Sequence, residues 1–332
     1  LFFWVEHLGL LPKDFKFAGA PFAGKEFDFM GIRKICMWSS LIVIGLGMVY
    51  TVFIRGEKGL GVDFTGGASA TYVIPGDSQL DYNAVEDYVV GMQLSKEATA
   101  QKFTSGTDWN IKVRCANKDE AIQIDKELRE KIPHMAELEA PSIDDVSSSL
   151  GSAFFRTACF ALLAGMLGIA LYLALRFEWS FAMGALVSTA HDVFGIIALV
   201  VVMGTELNII HIGAFLTVAG YSINDTIVIF DRIRERLRTA EPSEKLVDIM
   251  NEAINTTLSR TLLTSLSTIA VLISLIVLGG PSMRDFSITM LLGIFIGTYS
   301  SIYIASPVVL YFSEKHNLRE EIQKAADAEA SV

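Results

Sequence analysis

The feature that most constrains this chain is where charge is missing. Residues 35–54, 157–175, 261–283 and 286–313 contain no Asp, Glu, Lys or Arg. Two further apolar runs, 179–205 and 207–230, are interrupted by one acidic residue each, Asp192 and Asp225. About 20 consecutive apolar residues are enough for a helix to cross a hydrocarbon core, so the pattern predicts six transmembrane helices. A composition of 52% hydrophobic and only 19% charged residues points the same way. The segmentation that follows has a lead-in over 1–34 and spans at 35–54, 155–175, 180–205, 207–230, 261–283 and 286–313. A polar domain over 57–147 separates the first two spans, a link over 231–260 joins the fourth to the fifth, and a tail covers 314–332.

The formal charge of −10 is uneven, because residues 57–147 hold 17 acidic and 9 basic residues. An acidic surface of this kind repels nucleic acid. The three cysteines, Cys36, Cys115 and Cys159, imply neither a disulfide framework nor a metal site. Basic residues in the short connections set the expected orientation. Lys13, Lys16, Lys25, Arg33 and Lys34 precede the first span, and Arg232, Arg234, Arg236, Arg238, Lys245 and Arg260 lie between the fourth and fifth. The opposite side offers only Arg284 in its short connections. Both termini are therefore expected in the cytoplasm, with the 57–147 domain outside. The apolar stretch 1–11 is too short to span and lacks a basic n-region, so it does not read as a signal peptide.

Within the polar domain, residues 68–74 alternate as a strand, 82–92 suggest a helix, 109–115 a second strand and 118–132 a charged helix. Strand–helix–strand–helix in this length predicts a small α+β unit of ferredoxin-like or split βαβ type. The link over 231–260 starts as a basic extension of the fourth span, is broken by Pro242, and resumes with Leu246, Ile249, Ile254 and Leu258 on one side. It reads either as an amphipathic helix on the inner membrane surface or as a solvated helix pair. Gly293, Gly297, Ser301 and Ala305 recur every four residues on the last span, as Ala161 and Gly165 do on the second, a spacing that packs helices closely.

An Asp at the centre of a membrane helix costs about 2.5–3.5 kcal/mol on insertion scales. It persists by facing the protein interior with a partner or by taking up a proton. Asp192 lies near the middle of the third span beside His191, and Asp225 sits on the fourth span within G-Y-S-I-N-D-T, next to Asn224 and one turn from Tyr221 and Ser222. On the fifth span Arg260, Thr264 and Ser267 form one stripe, and Thr261, Ser265 and Thr268 its neighbour. Asp225 and Arg260 both lie toward the cytoplasmic side and are expected to pair across adjacent helices. A guanidinium favours the charged carboxylate and burial favours the neutral acid, and opposed influences of this kind poise a group to exchange protons. The alternative is a static buried pair that fixes helix register. One charge moved through 100 mV is worth about 2.3 kcal/mol, comparable with the burial cost, so a membrane potential is large enough to switch such a site. His211, near the outer end of the fourth span, reads as an interfacial residue.

No G-x-x-x-x-G-K-[ST], G-x-S-x-G, C-x-x-C or H-E-x-x-H is present, so no enzyme and no cofactor is expected. The cluster Gly61-Val62-Asp63-Phe64-Thr65-Gly66-Gly67, with Gly61, Asp63, Gly66 and Gly67 as its marked positions, reads as a tight turn into a strand.

Taken together, G-V-D-F-T-G-G at 61–67, A-H-D-V at 190–193 and G-Y-S-I-N-D-T-I-V-I-F-D-R-I-R-E at 220–235 resemble SecF, the smaller partner of the SecD–SecF membrane complex. R-F-E-W at 176–179, S-R-T-L-L-T-S at 259–265 and the 286–306 run add to the likeness, which covers residues 28–313. The resemblance implies half of a pseudo-symmetric bundle of the RND superfamily in the bacterial inner membrane, paired with SecD. It implies assistance to protein export through the SecYEG channel after the SecA motor, with YajC as a further partner, the translocating polypeptide handled on the outer side, and protons as the coupling ion. The family's proton path carries over to Asp225 and Arg260, with Asn224, Thr264 and Asp192 as candidates beside them. Residues 1–27 resemble the junction of fused SecDF chains, so SecD is expected either fused or separate. Two other readings compete: half of an RND-type proton-driven transporter of lipid or small hydrophobic compounds, and a passive scaffold.

Overall fold

The computed structural model describes residues 27–91, 100–105, 108–241 and 243–316, together with residues 318 and 322. The lead-in before residue 27 and most of the tail lie outside the described residues. Among the described residues, six helices are long and apolar enough to cross a membrane. They are α1 (Arg33–Val49), extended by a π turn over Tyr50–Arg55, then α4 (Ser148–Arg176), α5 (Trp179–Val202), α6 (Ile209–Thr239), α7 (Leu246–Leu278) and α8 (Pro281–Ser300). The last span continues through a π turn, Ser301–Ala305, into α9 (Ser306–His316). Pro307 supplies no N–H to the turn before it, and the Ser306 hydroxyl instead donates to the Ser301 carbonyl at 3.1 Å.

Between α1 and α4 the chain forms β1 (Gly67–Ile74), α2 (Tyr82–Gly91), β2 (Ala100–Ser105), β3 (Asp108–Cys115), α3 (Lys118–Lys131) and β4 (Ser142–Val146). The sheet order is β2-β3-β1-β4 with every pairing antiparallel, which is the ferredoxin-like arrangement. The sequence reading found β1, β3 and both helices but not the edge strands β2 and β4. Tyr72, Ile74, Ile111 and Val113 point to one face and meet Val89, Ile124 and Leu128 of the helices. Lys112 and Arg114 alternate onto the opposite face.

Inside the bundle two apolar clusters are separated by a polar layer. Toward one end Phe181, Phe230, Ile254, Ile302 and Val309 pack together. Toward the α+β domain Ile196, Phe215, Val218, Leu272 and Ile294 do the same. At the level between them Ser188, His191, Asp192, Ser222, Asp225, Thr226, Ser265, Ser300 and Ser301 are all buried. The close approach of α6 and α8 at this level needs glycine, since a Cβ on Gly293 would stand 2.3 Å from Val218 and one on Gly297 2.8 Å from Ser222.

The link between the fourth and fifth spans is not an in-plane helix. α6 runs on to Thr239 and α7 begins at Leu246, so each span simply extends past the bundle end. The apolar side of the link is covered by protein, with Ile249, Met250 and Ile254 packed with Ile233, Leu237, Leu318 and Ile322. Arg236 clasps Glu252 at 2.8 Å across the pair.

Candidate functional site

Asp225 is 3% exposed on α6, at the level of the polar layer. Arg260, on α7, is the charged group whose field reaches it, yet among the described residues the two form no ion pair at contact distance. The expected direct pairing is therefore not closed. The reason lies in the rotation of α7. Ser265 and Thr261 are buried, and Ser265 meets Thr298 at 3.3 Å while Thr268 meets Tyr221 at 3.1 Å. That turns the neighbouring stripe of Arg260, Thr264 and Ser267 outward, where all three are exposed, as is Asn224 on α6. Thr264 satisfies its hydroxyl within its own helix, on the carbonyls of Thr261 and Arg260.

Asp192 is fully buried and meets both its neighbour His191 and a partner the sequence did not reveal, Ser222. One oxygen lies 3.1 Å from His191 Nδ1, and the other accepts from the Ser222 hydroxyl at 2.5 Å. His191 Nε2 in turn meets Ser40 Oγ on α1 at 2.6 Å. A continuous polar line therefore runs Ser40–His191–Asp192–Ser222 across three helices, and ends one helical turn from Asp225. Hydroxyls and imidazoles both donate and accept, so each link of this line can pass a proton or reverse its polarity.

The glycine-rich cluster sits at the far end of the same helix. Its middle, Val62–Thr65, is one helical turn rather than a simple bend. Gly61 donates to the Leu207 carbonyl at 2.7 Å and Asp63 accepts from the Ile209 N–H at 3.0 Å. Ile209 opens α6, so the Asp63 carboxylate sits at the positive end of the helix dipole. Gly66 and Gly67 have φ of 71° and 113°, and a Cβ on Gly67 would stand 2.7 Å from the Cys115 carbonyl oxygen. Beside it Glu206 pairs with Lys112 at 3.0 Å and Arg114 at 3.4 Å, and Arg114 also donates to Thr65 Oγ1 at 2.7 Å and the Leu60 carbonyl at 3.0 Å. The sheet of the α+β domain is thus fastened to the start of α6, sixteen residues and about 24 Å from Asp225. His211, near the start of α6, is buried and closes a capping box with Asn208. Glu206 carried no signal in the sequence, because its partners are more than ninety residues away.

The family described as protein export membrane protein SecD/SecF, C-terminal, matches residues 126–315. The protein translocase subunit SecF of Thermodesulfovibrio yellowstonii is 39% identical over 290 residues, covering 86% of this chain and 94% of that protein. The chain belongs to the SecF family. SecF of Rickettsia prowazekii is 31% identical over 294 residues, covering 87% of this chain and 92% of its own length. Among solved structures, the crystal structure of SecDF, a translocon-associated membrane protein from Thermus thermophilus, is similar with a TM-score of 0.76 at 29% identity over 94% of this chain. A crystal structure of SecDF in a super-membrane-facing form gives 0.61 at 30% identity over 90% of this chain. The chain spans 41% and 40% of those two SecDF chains. The chain is thus a multi-pass membrane protein of the SecF family, and the curated SecF relatives are named as translocase subunits.

Proposed function

We propose that this chain is an auxiliary subunit of the bacterial Sec export machinery, which uses proton flow through its membrane half to move the α+β domain and so assist polypeptides emerging from the channel. Its family relatives support the export role. The proton role is carried by one observation: Asp225 is a buried carboxyl with no ion pair at contact distance among the described residues, next to the Ser40–His191–Asp192–Ser222 line, on the helix whose first turn is fastened to the α+β domain. Protons are the only coupling ion this reading needs, and no cofactor or catalytic group enters it.

The basic connections support a reading in which both termini lie in the cytoplasm, the membrane is the inner one and the α+β domain lies outside. SecD, fused or separate, is the partner that the outward polar face of α6 and α7 suits. Asn224 and Arg260 are exposed there and costly against lipid, and Thr217, Gly220 and Thr264 beside them are small enough for another helix to pack closely. SecYEG, SecA and YajC follow from the family's place in export. Transport of lipid or small hydrophobic compounds is the weaker reading, since the interior of the α+β domain is filled by Tyr72, Ile111, Ile124 and Leu128.

The test is Asp225→Asn, produced together with SecD in inverted membrane vesicles, with export measured with and without a proton gradient. A proton-driven subunit loses its gradient-dependent stimulation. A scaffold keeps it, and that result refutes the proton role.

A further inference from the structure

Between α1, α5 and α8, away from the polar face of α6 and α7, lies a cleft of about 700 Å³. Its hollow comes from small residues on facing helices. Gly47 of α1 and Gly195 and Ala198 of α5 line it, with Ile44 and Ile296 completing the walls. The polar groups at its deep end are already satisfied. Ser40 is bonded to His191, and Ser39 and Tyr299 both donate to the Cys36 carbonyl. Water has no reason to order in so apolar a space, and an empty cleft forfeits dispersion contacts along its walls. A helix about 10 Å across fits there for fewer than about two turns.

The cleft rises past Tyr50 and Val202 toward the face that carries the α+β domain. Arg55 stands above that mouth, reaching from the end of α1 to the Gly204 carbonyl at 3.2 Å. Its Nε is buried and, among the described residues, has no hydrogen-bond partner. A buried guanidinium N–H without an acceptor is costly, and here it lies where an apolar membrane cleft meets the headgroup level.

We infer that this cleft binds one anionic phospholipid, with an acyl chain between α1, α5 and α8 and the phosphate on Arg55. The helices around the cleft are membrane spans, and the most apolar stretch of α1 is uncovered by the rest of the chain, so acyl chains reach the cleft sideways from the bilayer. The Arg55 cation, held at the mouth by its Nη2 bond to the Gly204 carbonyl, supplies the headgroup preference. The lipid chain also closes the membrane-facing side of the Ser40–His191 contact. The assignment stands apart from the proton role, since it concerns binding and not export.

The experiment reconstitutes the full chain in vesicles of phosphatidylglycerol and phosphatidylcholine in equal parts, extracts it in mild detergent and counts retained lipid by native mass spectrometry. Wild-type protein is expected to retain one phosphatidylglycerol, favoured about tenfold over phosphatidylcholine. Arg55→Gln is expected to keep a lipid but lose the preference. Val43→Trp, which fills the cleft from a wall position already exposed on α1, is expected to lose the lipid while the six-helix fold melts as before. Retention of no lipid by wild type, or the same lipid count and preference in all three proteins, overturns the assignment.

Discussion

Two buried carboxylates at the two levels of α6 differ in one respect that separates holding from handling. Glu206, just before the helix, has a side chain only 3% exposed, with two cations on it, Lys112 and Arg114. Asp225, in the polar layer of the bundle, is 3% exposed and, among the described residues, has no cation in contact. A carboxylate held by fixed cations serves as a fastening. On the proposed proton role, a buried carboxylate whose cation stands off is the one that changes state, and α6 links it to the joint with the α+β domain. Asp192 falls between the two, wholly buried and bonded to His191 and the Ser222 hydroxyl with no Lys or Arg in contact among the described residues.

The largest expected effect is the loss of all gradient-dependent export in Asp225→Asn vesicles, to the level of membranes lacking the subunit. If Glu206 is only a fastening, Glu206→Ala acts on stability instead. Leaving Lys112 and Arg114 unpaired should cost about 3 kcal/mol, the bottom of the range for a fully buried pair because both cations are 18–19% exposed. Thermal unfolding in detergent reads this, and a cycle with Arg114→Ala should show the two effects to be non-additive. A Glu206→Ala protein that is stable but inactive would erase the contrast between the two acids.

Cys115 separates the stability of the α+β domain from that of its joint. Burial pushes its thiol up to about 11 from an ordinary 9.0. The folded domain therefore binds the proton more tightly than the unfolded chain between these values. Its contribution is complete below pH 9 and declines as pH rises toward 11, by about 2 kcal/mol. Unfolding followed across that window should show the decline in the wild type and its absence in Cys115→Ala. The smallest change is expected from Ser222→Ala, which leaves one oxygen of Asp192 without its 2.5 Å donor and should cost about 1–2 kcal/mol. Ser222→Thr, which keeps the hydroxyl, should recover most of it.

The six spans and the two intramembrane acids were legible because lipid punishes charge so heavily that exceptions announce themselves. The inner strands β1 and β3 were legible through alternation. β2 and β4 were not, since A-Q-K-F-T-S and S-I-D-D-V are edge strands whose sequences carry no sustained apolar alternation. On α7 the sequence showed two polar stripes but not which one faces inward, because helix rotation is fixed by packing on Thr298 and Tyr221. The Ser40–His191 contact joins residues 151 positions apart, and local pattern holds nothing of it.

The decisive measurement is infrared difference spectroscopy of the reconstituted protein, with SecD, titrated through neutral pH. A proton-handling Asp225 predicts a protonated-carboxyl band that grows and fades reversibly in the wild type and is missing from Asp225→Asn. Identical spectra from the two proteins would contradict it.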